Sequence, residues 1–147
     1  MRLLVAIDFS ETTRRVLECA QKLAPALKAE VVLFHTVTPA TPLIDTETGA
    51  RATEEPLSER FGIAKTAEEK LHVFAETLRN RGIRVSERLS YSDEVEAIIN
   101  NAESLAADMI ILGSHGHGAL YHLLIGSVSE GVIRKATCPV VIVPAQG

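Results

Sequence analysis

The stretch LLVAIDFSETTRRVLECA, residues 3–20, predicts a buried strand followed directly by a helix. Its first five residues, LLVAI, are continuously apolar, which is typical of a central strand covered on both faces. A helix is predicted directly after this strand, because Ser10 can act as an N-cap and the sequence that follows has apolar residues at helical spacing. These apolar positions are Val16, Leu17, Ala20, Leu23 and Leu27.

The rest of the chain continues the alternation of strand and helix. Strands are predicted at 30–37, 83–89, 109–112 and 140–143, and helices at 57–80, 94–106 and 128–136. Residues 38–56 have no periodicity and are rich in Thr, Pro, Asp, Glu and Gly, so they are predicted to form a long mobile loop. The chain is therefore predicted to be one α/β domain, residues 1–147, with a doubly wound parallel sheet of five strands and four helices.

The charge and composition of the chain exclude several classes of protein. Among 147 residues, 46% are hydrophobic, and 15 Lys and Arg stand against 19 Asp and Glu for a net charge of -4. Without a run of basic residues, no nucleic-acid partner is expected. The apolar stretch Leu3–Ile7 is too short for a signal peptide or a membrane span, so we expect a cytoplasmic protein without a membrane partner. Cys19 and Cys138 have no CxxC spacing, which suits a reducing compartment.

The segment GSHGHGALYHLLIGSVSEG, residues 113–131, carries the strongest functional signal. Glycines at the end of a strand let a ligand approach the backbone closely. Ser127 and Glu130 have the spacing of a capping box, which predicts a helix N-terminus directly after Gly126 that can bind an anion without a lysine. Spacing alone leaves ordinary turn chemistry open as an alternative. The segment is neither a P-loop nor a GxGxxG fingerprint.

The pattern G-x2-G-x9-G-S in this segment resembles the nucleotide-binding signature of the universal stress protein family. The likeness extends over the chain: LLVAIDFSETTRRVLECA, VVLFHTV, ADMIILGSHGHG and IGSVSEGVIRKATCPVVIV are similar to strands and helices of that family. The resemblance implies an adenine nucleotide alpha hydrolase-like fold with strand order 3-2-1-4-5. It also implies a homodimer formed through the last strand, residues 140–143, and an uncharged edge strand of β-branched residues favours such pairing on physical grounds. In that order, Asp8 and Gly113 lie on opposite lips of one cleft.

The resemblance further implies a site for ATP. Asp8 would lie near the ribose or a phosphate-bound Mg²⁺, and the backbone of Thr36 would meet the adenine. The residues that the resemblance places around the nucleotide are Ala6, Ile7, Asp8, Thr36, Leu112, Gly113, Ser114, His115, Gly116, His117, Gly126, Ser127, Val128 and Ser129. His117 departs from the family pattern, in which a basic residue is common, and Ser92–Glu94 replace a frequent Gly-x-Pro turn.

Several functions remain open from the sequence. The resemblance implies a dimeric, nucleotide-responsive regulatory module of the stress response. The segment from Gly113 to Ile133 contains no Lys or Arg, so we expect its hydrolysis of the nucleotide to be slow or absent. The alternative is a dimeric stress-associated interaction protein that binds no nucleotide, in which Asp8 bonds only to nearby amides. A zinc site at His115, His117 and His122 is a third hypothesis, but it has no convincing fourth ligand.

Overall fold

The structure, a computed structural model, describes residues 1–38, 57–114 and 125–145. The predicted loop at 38–56 and the histidines His115, His117 and His122 therefore lie outside the described residues, except for Thr38. The elements in chain order are β1 (Arg2–Ala6), α1 (Thr12–Ala26), β2 (Glu30–Thr36), α2 (Leu57–Arg79), β3 (Val85–Ser90), α3 (Glu94–Ser104), β4 (Met109–Gly113), α4 (Ser127–Lys135) and β5 (Val140–Val143).

The five strands form a parallel sheet in the order β3-β2-β1-β4-β5, which confirms the predicted fold class. β1 lies at the centre, and its residue Leu4 is paired with Val32 of β2 on one side and with Ile110 of β4 on the other. The chain therefore adds strands first on one side of β1 and then on the other. This reversal is the point at which doubly wound sheets bind ligands.

Side chains alternate along the strands and build a separate core on each face of the sheet. Leu3, Val5 and Leu33 are fully buried against α1 and α2. Leu4 and Ile110, on the opposite face, are buried with residues of α3 and α4. The continuous apolar run of β1 is thus explained, since both of its faces are covered by helices.

The structure corrects several predicted boundaries. β1 is Arg2–Ala6 rather than 3–7, although the N–H of Ile7 still donates to the carbonyl of Phe34 at 2.9 Å. β3 is Val85–Ser90 rather than 83–89, because the N–H of Ile83 bonds to Leu78 and so belongs to the turn that ends α2. α4 is Ser127–Lys135 rather than 128–136, since Ala136 has an extended conformation.

The predicted cap of α1 is also wrong. The N-cap is Glu11, whose side chain makes no capping hydrogen bond. The hydroxyl of Ser10 instead accepts a hydrogen bond from the N–H of Thr12 at 3.3 Å, and the carbonyl of Ser10 accepts one from Thr13 at 3.0 Å. Ser10 therefore shapes the turn that precedes the helix and lies one residue before the N-cap.

Arg79 fixes the position of α2 against the edge strand β3. Its guanidinium donates to the carbonyl of Val85 at 2.8 Å and forms ion pairs with Glu76 at 2.7 Å and Glu87 at 2.8 Å. These carboxylates raise the pKa of Arg79 above its usual value, so the guanidinium remains charged at any physiological pH. Gly82 follows in the left-handed region with φ of 79°, as expected of a residue that ends a helix.

The thiols of Cys19 and Cys138 are half-buried, and burial raises the pKa of each. Both therefore remain protonated at neutral pH, in agreement with a packing role. Among the helices in the described ranges, none combines the length and the hydropathy that crossing a membrane requires.

The close approach of α3 and α4 at Gly131 gives a test of the packing. A Cβ added at Gly131 would lie 2.7 Å from Cγ2 of Val95, whereas one added at Gly62 would meet nothing within 4 Å. Replacing a helical Gly with Ala gains about 1 kcal/mol of helix propensity, but overpacking costs about 1–3 kcal/mol and the side chain of Val is stiff.

We expect Gly131→Ala to lower the free energy of unfolding by about 1 kcal/mol, as the steric cost outweighs the propensity gain. The matched variant Gly62→Ala should raise it by about 0.5–1 kcal/mol. Urea denaturation measures both, and in a Val95→Ala background the substitution Gly131→Ala should no longer lower the free energy of unfolding. Equal stabilisation by the two single substitutions would contradict the close approach of α3 and α4.

Candidate functional site

A cleft of about 1110 Å³ opens at the carboxyl ends of β1, β2 and β4. Its walls come from the ends of these strands, the first turns of α1 and α4, one turn of α3 and the inner side of α2. The cleft lies where the order of the strands reverses about β1. Its position therefore follows from the topology of the sheet.

Every predicted site residue that falls in the described ranges lines this cleft. The set comprises Ala6, Ile7, Asp8, Thr36, Leu112, Gly113, Ser114, Gly126, Ser127, Val128 and Ser129. The three remaining predictions, His115, Gly116 and His117, lie outside the described residues. Asp8 and Gly113 face the same cleft, as expected from the strand order.

The end of β1 makes a tight turn into the cleft. The Oδ1 atom of Asp8 accepts a hydrogen bond from the N–H of Ser10 at 2.9 Å. Phe9, between them, has φ of 61°, a left-handed conformation that is costly for a residue with a bulky side chain. Such strain is concentrated at functional sites, where the surrounding structure holds it in place.

Ser114 joins the ends of β4 and β5 to the start of α4. Its N–H donates to the carbonyl of Val143 at 2.8 Å, and its hydroxyl accepts from the N–H of Ala145 at 3.1 Å. The carbonyl of Ser114 accepts from the N–H of Gly126 at 2.6 Å. Ser129, 2% exposed, donates its hydroxyl to the carbonyl of Gly113 at 2.6 Å. These bonds fix α4 relative to the sheet before any ligand binds.

The first turn of α4 presents backbone amides to the cleft. The helix begins at Ser127 directly after Gly126, and its first internal hydrogen bond runs from the N–H of Glu130 to the carbonyl of Gly126 at 3.0 Å. The N–H groups of residues 127–129 precede that bond, and such amides with the helix dipole attract anions. Because the N–H of Gly126 already donates to Ser114, the amides available to an anion at this helix start are those of residues 127–129.

The predicted capping box of Ser127 and Glu130 is wrong. The N-cap is Gly126, and no side chain caps the helix. The carboxylate of Glu130 instead pairs with Arg134 one turn later, at 2.7 Å. The spacing of a capping box is therefore present in the sequence without its hydrogen bonds, because the chain enters the helix one residue earlier than that motif requires.

The end of β2 contributes polar groups to the other side of the cleft. Thr36, 7% exposed, directs its hydroxyl to the carbonyls of Ser90 at 3.3 Å and Ser92 at 3.2 Å. The Nδ1 atom of His35 lies 2.7 Å from the carbonyl oxygen of Ile7. Since a carbonyl only accepts, the proton of this imidazole lies on Nδ1. No function was predicted for His35 from the sequence, but its ring borders the cleft.

An aromatic and cationic surface forms the α2 side of the cleft. The ring of Phe9 packs on that of His35, with centroids 4.0 Å apart, and on that of Phe74, with centroids 6.0 Å apart. The ammonium of Lys70 lies 5.6 Å from the centroid of Phe9, within the range of a cation–π interaction. Of the Lys and Arg residues that the structure describes, Lys70 alone lines the cleft.

Sequence reasoning missed cleft residues in the turn after β1 and in the helices. Phe9, Thr12 and Thr13 follow β1 directly, and the carboxyl end of a parallel strand is a signal that could have identified them. Lys70 and Glu94 had no such signal, since their positions depend on how α2 and α3 return to the sheet. Within the described residues, no group of His, Cys, Asp and Glu is arranged to hold a metal ion by itself.

Comparison with known proteins agrees with this geometry. The family model for the universal stress protein family matches residues 1–144. Universal stress protein YxiE of Bacillus subtilis is 28% identical over 144 residues, which cover 97% of each chain. Universal stress protein MJ0577 of Methanocaldococcus jannaschii is 28% identical over 151 residues, covering 97% of this chain and 93% of that protein.

Solved structures have the same architecture. That of MJ0577 superposes with a TM-score of 0.82 at 29% identity, covering 99% of this chain and 96% of the other. A universal stress protein from Archaeoglobus fulgidus, solved in complex with dAMP, has a TM-score of 0.67 at 26% identity and 97% coverage of each chain. The fold shared with these structures is the adenine nucleotide alpha hydrolase-like fold. The chain belongs to the universal stress protein family.

Proposed function

We propose that this protein binds ATP in the cleft and acts as a dimeric, nucleotide-responsive regulatory module of the stress response. The observation that carries the proposal is the convergence of Asp8, Thr36, Gly113 and the first turn of α4 on one cleft. These residues come from distant parts of the chain. The topology of the sheet brings the strand ends together, and at this edge the glycine that ends β4 and the amides at the start of α4 add groups that suit a phosphate.

The first turn of α4 supplies the site for the phosphates. The amides of residues 127–129 and the helix dipole favour an anion, and the bonds of Ser114 and Ser129 hold these donors in place beforehand. The adenine is proposed to lie at the end of β2 beside Thr36. The carboxylate of Asp8, between the two, has the oxygen ligands that a phosphate-bound Mg²⁺ prefers.

The relatives support a nucleotide as the ligand. The universal stress protein from Archaeoglobus fulgidus that binds dAMP matches this chain over 97% of its length. The same architecture and a cleft at the topological switch point of the sheet favour an adenine nucleotide here. The choice of ATP rests on the glycine pattern and on the anion-binding turn of α4.

A regulatory role is proposed from the hydrogen bonds that connect the cleft with the edge strand β5. The carbonyl of Ser114 holds Gly126 at the start of α4, while its N–H and hydroxyl hold Val143 and Ala145 at the end of β5 and beyond it. A phosphate bound by α4 would therefore act on a segment that is directly hydrogen-bonded to the edge strand. Nucleotide occupancy can bias the surface that this edge presents to partners.

Nucleotide binding is tested with protein stripped of its bound small molecules. We expect Mg·ATP to bind at micromolar level in calorimetry, and Gly126→Val to weaken binding at least tenfold, since a β-branched side chain at the N-cap would obstruct the phosphates. Thr77→Val, on the exposed side of α2, is the control and should bind as the wild type does. Thermal melting verifies that each variant is folded. A folded wild type that binds no adenine nucleotide would support the interaction-protein alternative instead.

Hydrolysis is proposed to be slow because the described part of the cleft has few cationic side chains that could stabilise the transferred phosphate. Lys70 is its single Lys or Arg, and it lies on α2 rather than beside the amides of α4. Phosphoryl transfer depends on cations that stabilise the transferred group. We expect turnover of Mg·ATP below about 1 per second, the low end for kinases. Phosphate release measures it, with Gly126→Val as the background control. A faster rate that this variant abolishes would show an enzyme.

A homodimer through β5 is proposed from the geometry of the sheet edge. The carbonyls of Pro139 and Val143 accept hydrogen bonds from Ile110 and Ser114, at 2.9 and 2.8 Å, and so point toward β4. Backbone groups alternate in direction along a strand, so those of Val140 and Ile142 point away from the sheet. β5 is the last strand of the sheet, and an edge of this kind is a template for pairing with a second copy.

The dimer is tested by removing one outward N–H. Ile142→Pro deletes it and places the ring on the side of the partner, so we expect the dimer dissociation constant to rise at least tenfold in analytical ultracentrifugation. Ile142→Val keeps the N–H and should remain dimeric. Either a monomeric wild type or an unaltered dimer in folded Ile142→Pro would exclude this interface.

A further inference from the structure

The hydroxyl of Thr13 is the buried polar group of the cleft that has no hydrogen-bond partner among the residues the structure describes. Thr13 is 2% exposed and lines the cleft at the start of α1. A buried hydroxyl without a partner costs about 1–3 kcal/mol relative to one that is satisfied. A buried hydroxyl of this kind calls for a partner, and because Thr13 lines the cleft a bound ligand is a group that can supply one.

Other threonines of this protein show what Thr13 lacks. Thr66 and Thr77, both in α2, donate their hydroxyls to the carbonyls four residues earlier, at 2.9 and 3.0 Å. This is the usual local partner of a Thr in a helix. For Thr13 the corresponding residue is Phe9, which precedes the helix and has φ of 61°. The strained turn after β1 thus deprives Thr13 of its local acceptor.

The topology places Thr13 beside the middle of the proposed ligand. β1 lies between β2, where the adenine is proposed, and β4, next to the phosphate site. The sugar joins these two parts and so lies above the end of β1, from which the chain passes directly into the first turn of α1. Thr13 belongs to that turn, since its N–H donates to the carbonyl of Ser10 at 3.0 Å.

The charge at this position favours a neutral group of the ligand. The carboxylate of Asp8 belongs to the same turn through its bond to the N–H of Ser10 at 2.9 Å. It would repel a phosphate bound without a cation, whereas a sugar hydroxyl can donate to a carboxylate and also pair with a second hydroxyl.

We propose that the hydroxyl of Thr13 hydrogen-bonds a ribose hydroxyl of the nucleotide, and that the cleft thereby selects ribonucleotides over nucleotides lacking that hydroxyl. This assignment rests on the proposed nucleotide function. Thr13 is a specificity-determining residue in this account. Without the ligand's hydroxyl, Thr13 stays buried and unsatisfied, and this penalty is the source of the selectivity.

The test compares ATP with its 2′-deoxy and 3′-deoxy analogues by calorimetry. The wild type should bind one of the analogues about tenfold more weakly than ATP. In Thr13→Val, which replaces the hydroxyl with a methyl group of similar size, that ratio should fall to about 1. Thr13→Ser keeps the hydroxyl and should preserve the discrimination, as should the control Thr77→Val.

Thermal melting without ligand supplies an independent readout. Thr13→Val should raise the melting temperature, because it removes an unsatisfied buried hydroxyl, whereas a hydroxyl with a purely structural partner would give a lower one. If ATP binds but the ratio is unchanged in Thr13→Val, the assignment of Thr13 is wrong and the nucleotide function stands. If the folded wild type binds neither ATP nor the analogues, the nucleotide function fails and this assignment fails with it.

Discussion

The parallel arrangement of the five strands is the constraint on which the site depends. Parallel strands end at the same edge of a sheet, and each connection must return over one face through a helix. β1 can occupy the centre because its run from Leu3 to Val5 is fully buried on both faces. With β1 central, the chain leaves β1 into α1 on one face of the sheet and leaves the neighbouring strand β4 into α4 on the other face, so these helices separate above the strand ends. The cleft is the space that this separation opens.

Hydrogen bonds of small polar residues make the cleft rigid. Ser114 and Ser129 are 5% and 2% exposed, and their hydroxyls are used within the protein, on the N–H of Ala145 and the carbonyl of Gly113. These serines therefore position the backbone. The groups left to a ligand are amides at the start of α4, which attract an anion only if their direction is fixed in advance. Ser114 and Ser129 thus contribute to the site by holding the backbone of α4 in position, without contacting the ligand through their hydroxyls.

The sequence predicted the parts of the molecule that depend on local pattern. Apolar runs located the strands and so the fold class, whereas most of the site residues were assigned from the resemblance to a known family. Boundaries failed where a turn competed with an element, as at Ile83, which bonds back to Leu78. The capping box failed because spacing does not specify where the chain enters the helix. Phe9 showed no sign of its positive φ, since the surrounding turn imposes that conformation on a residue that does not prefer it.

The kind of group that surrounds the proposed ligand bears on whether the protein is an enzyme. Backbone amides and threonine hydroxyls interact with groups of the nucleotide, its phosphates and its sugar, that are present before any reaction takes place. Interactions that are equally strong in the bound state and in the transition state increase affinity without lowering the barrier to chemistry. Acceleration would need a Lys or Arg side chain beside the terminal phosphate in addition to the proposed Mg²⁺, and the lysine of the described cleft, Lys70, lies over the ring of Phe9 instead. A cleft of this composition favours retention of an intact nucleotide, which is what a module that responds to occupancy requires.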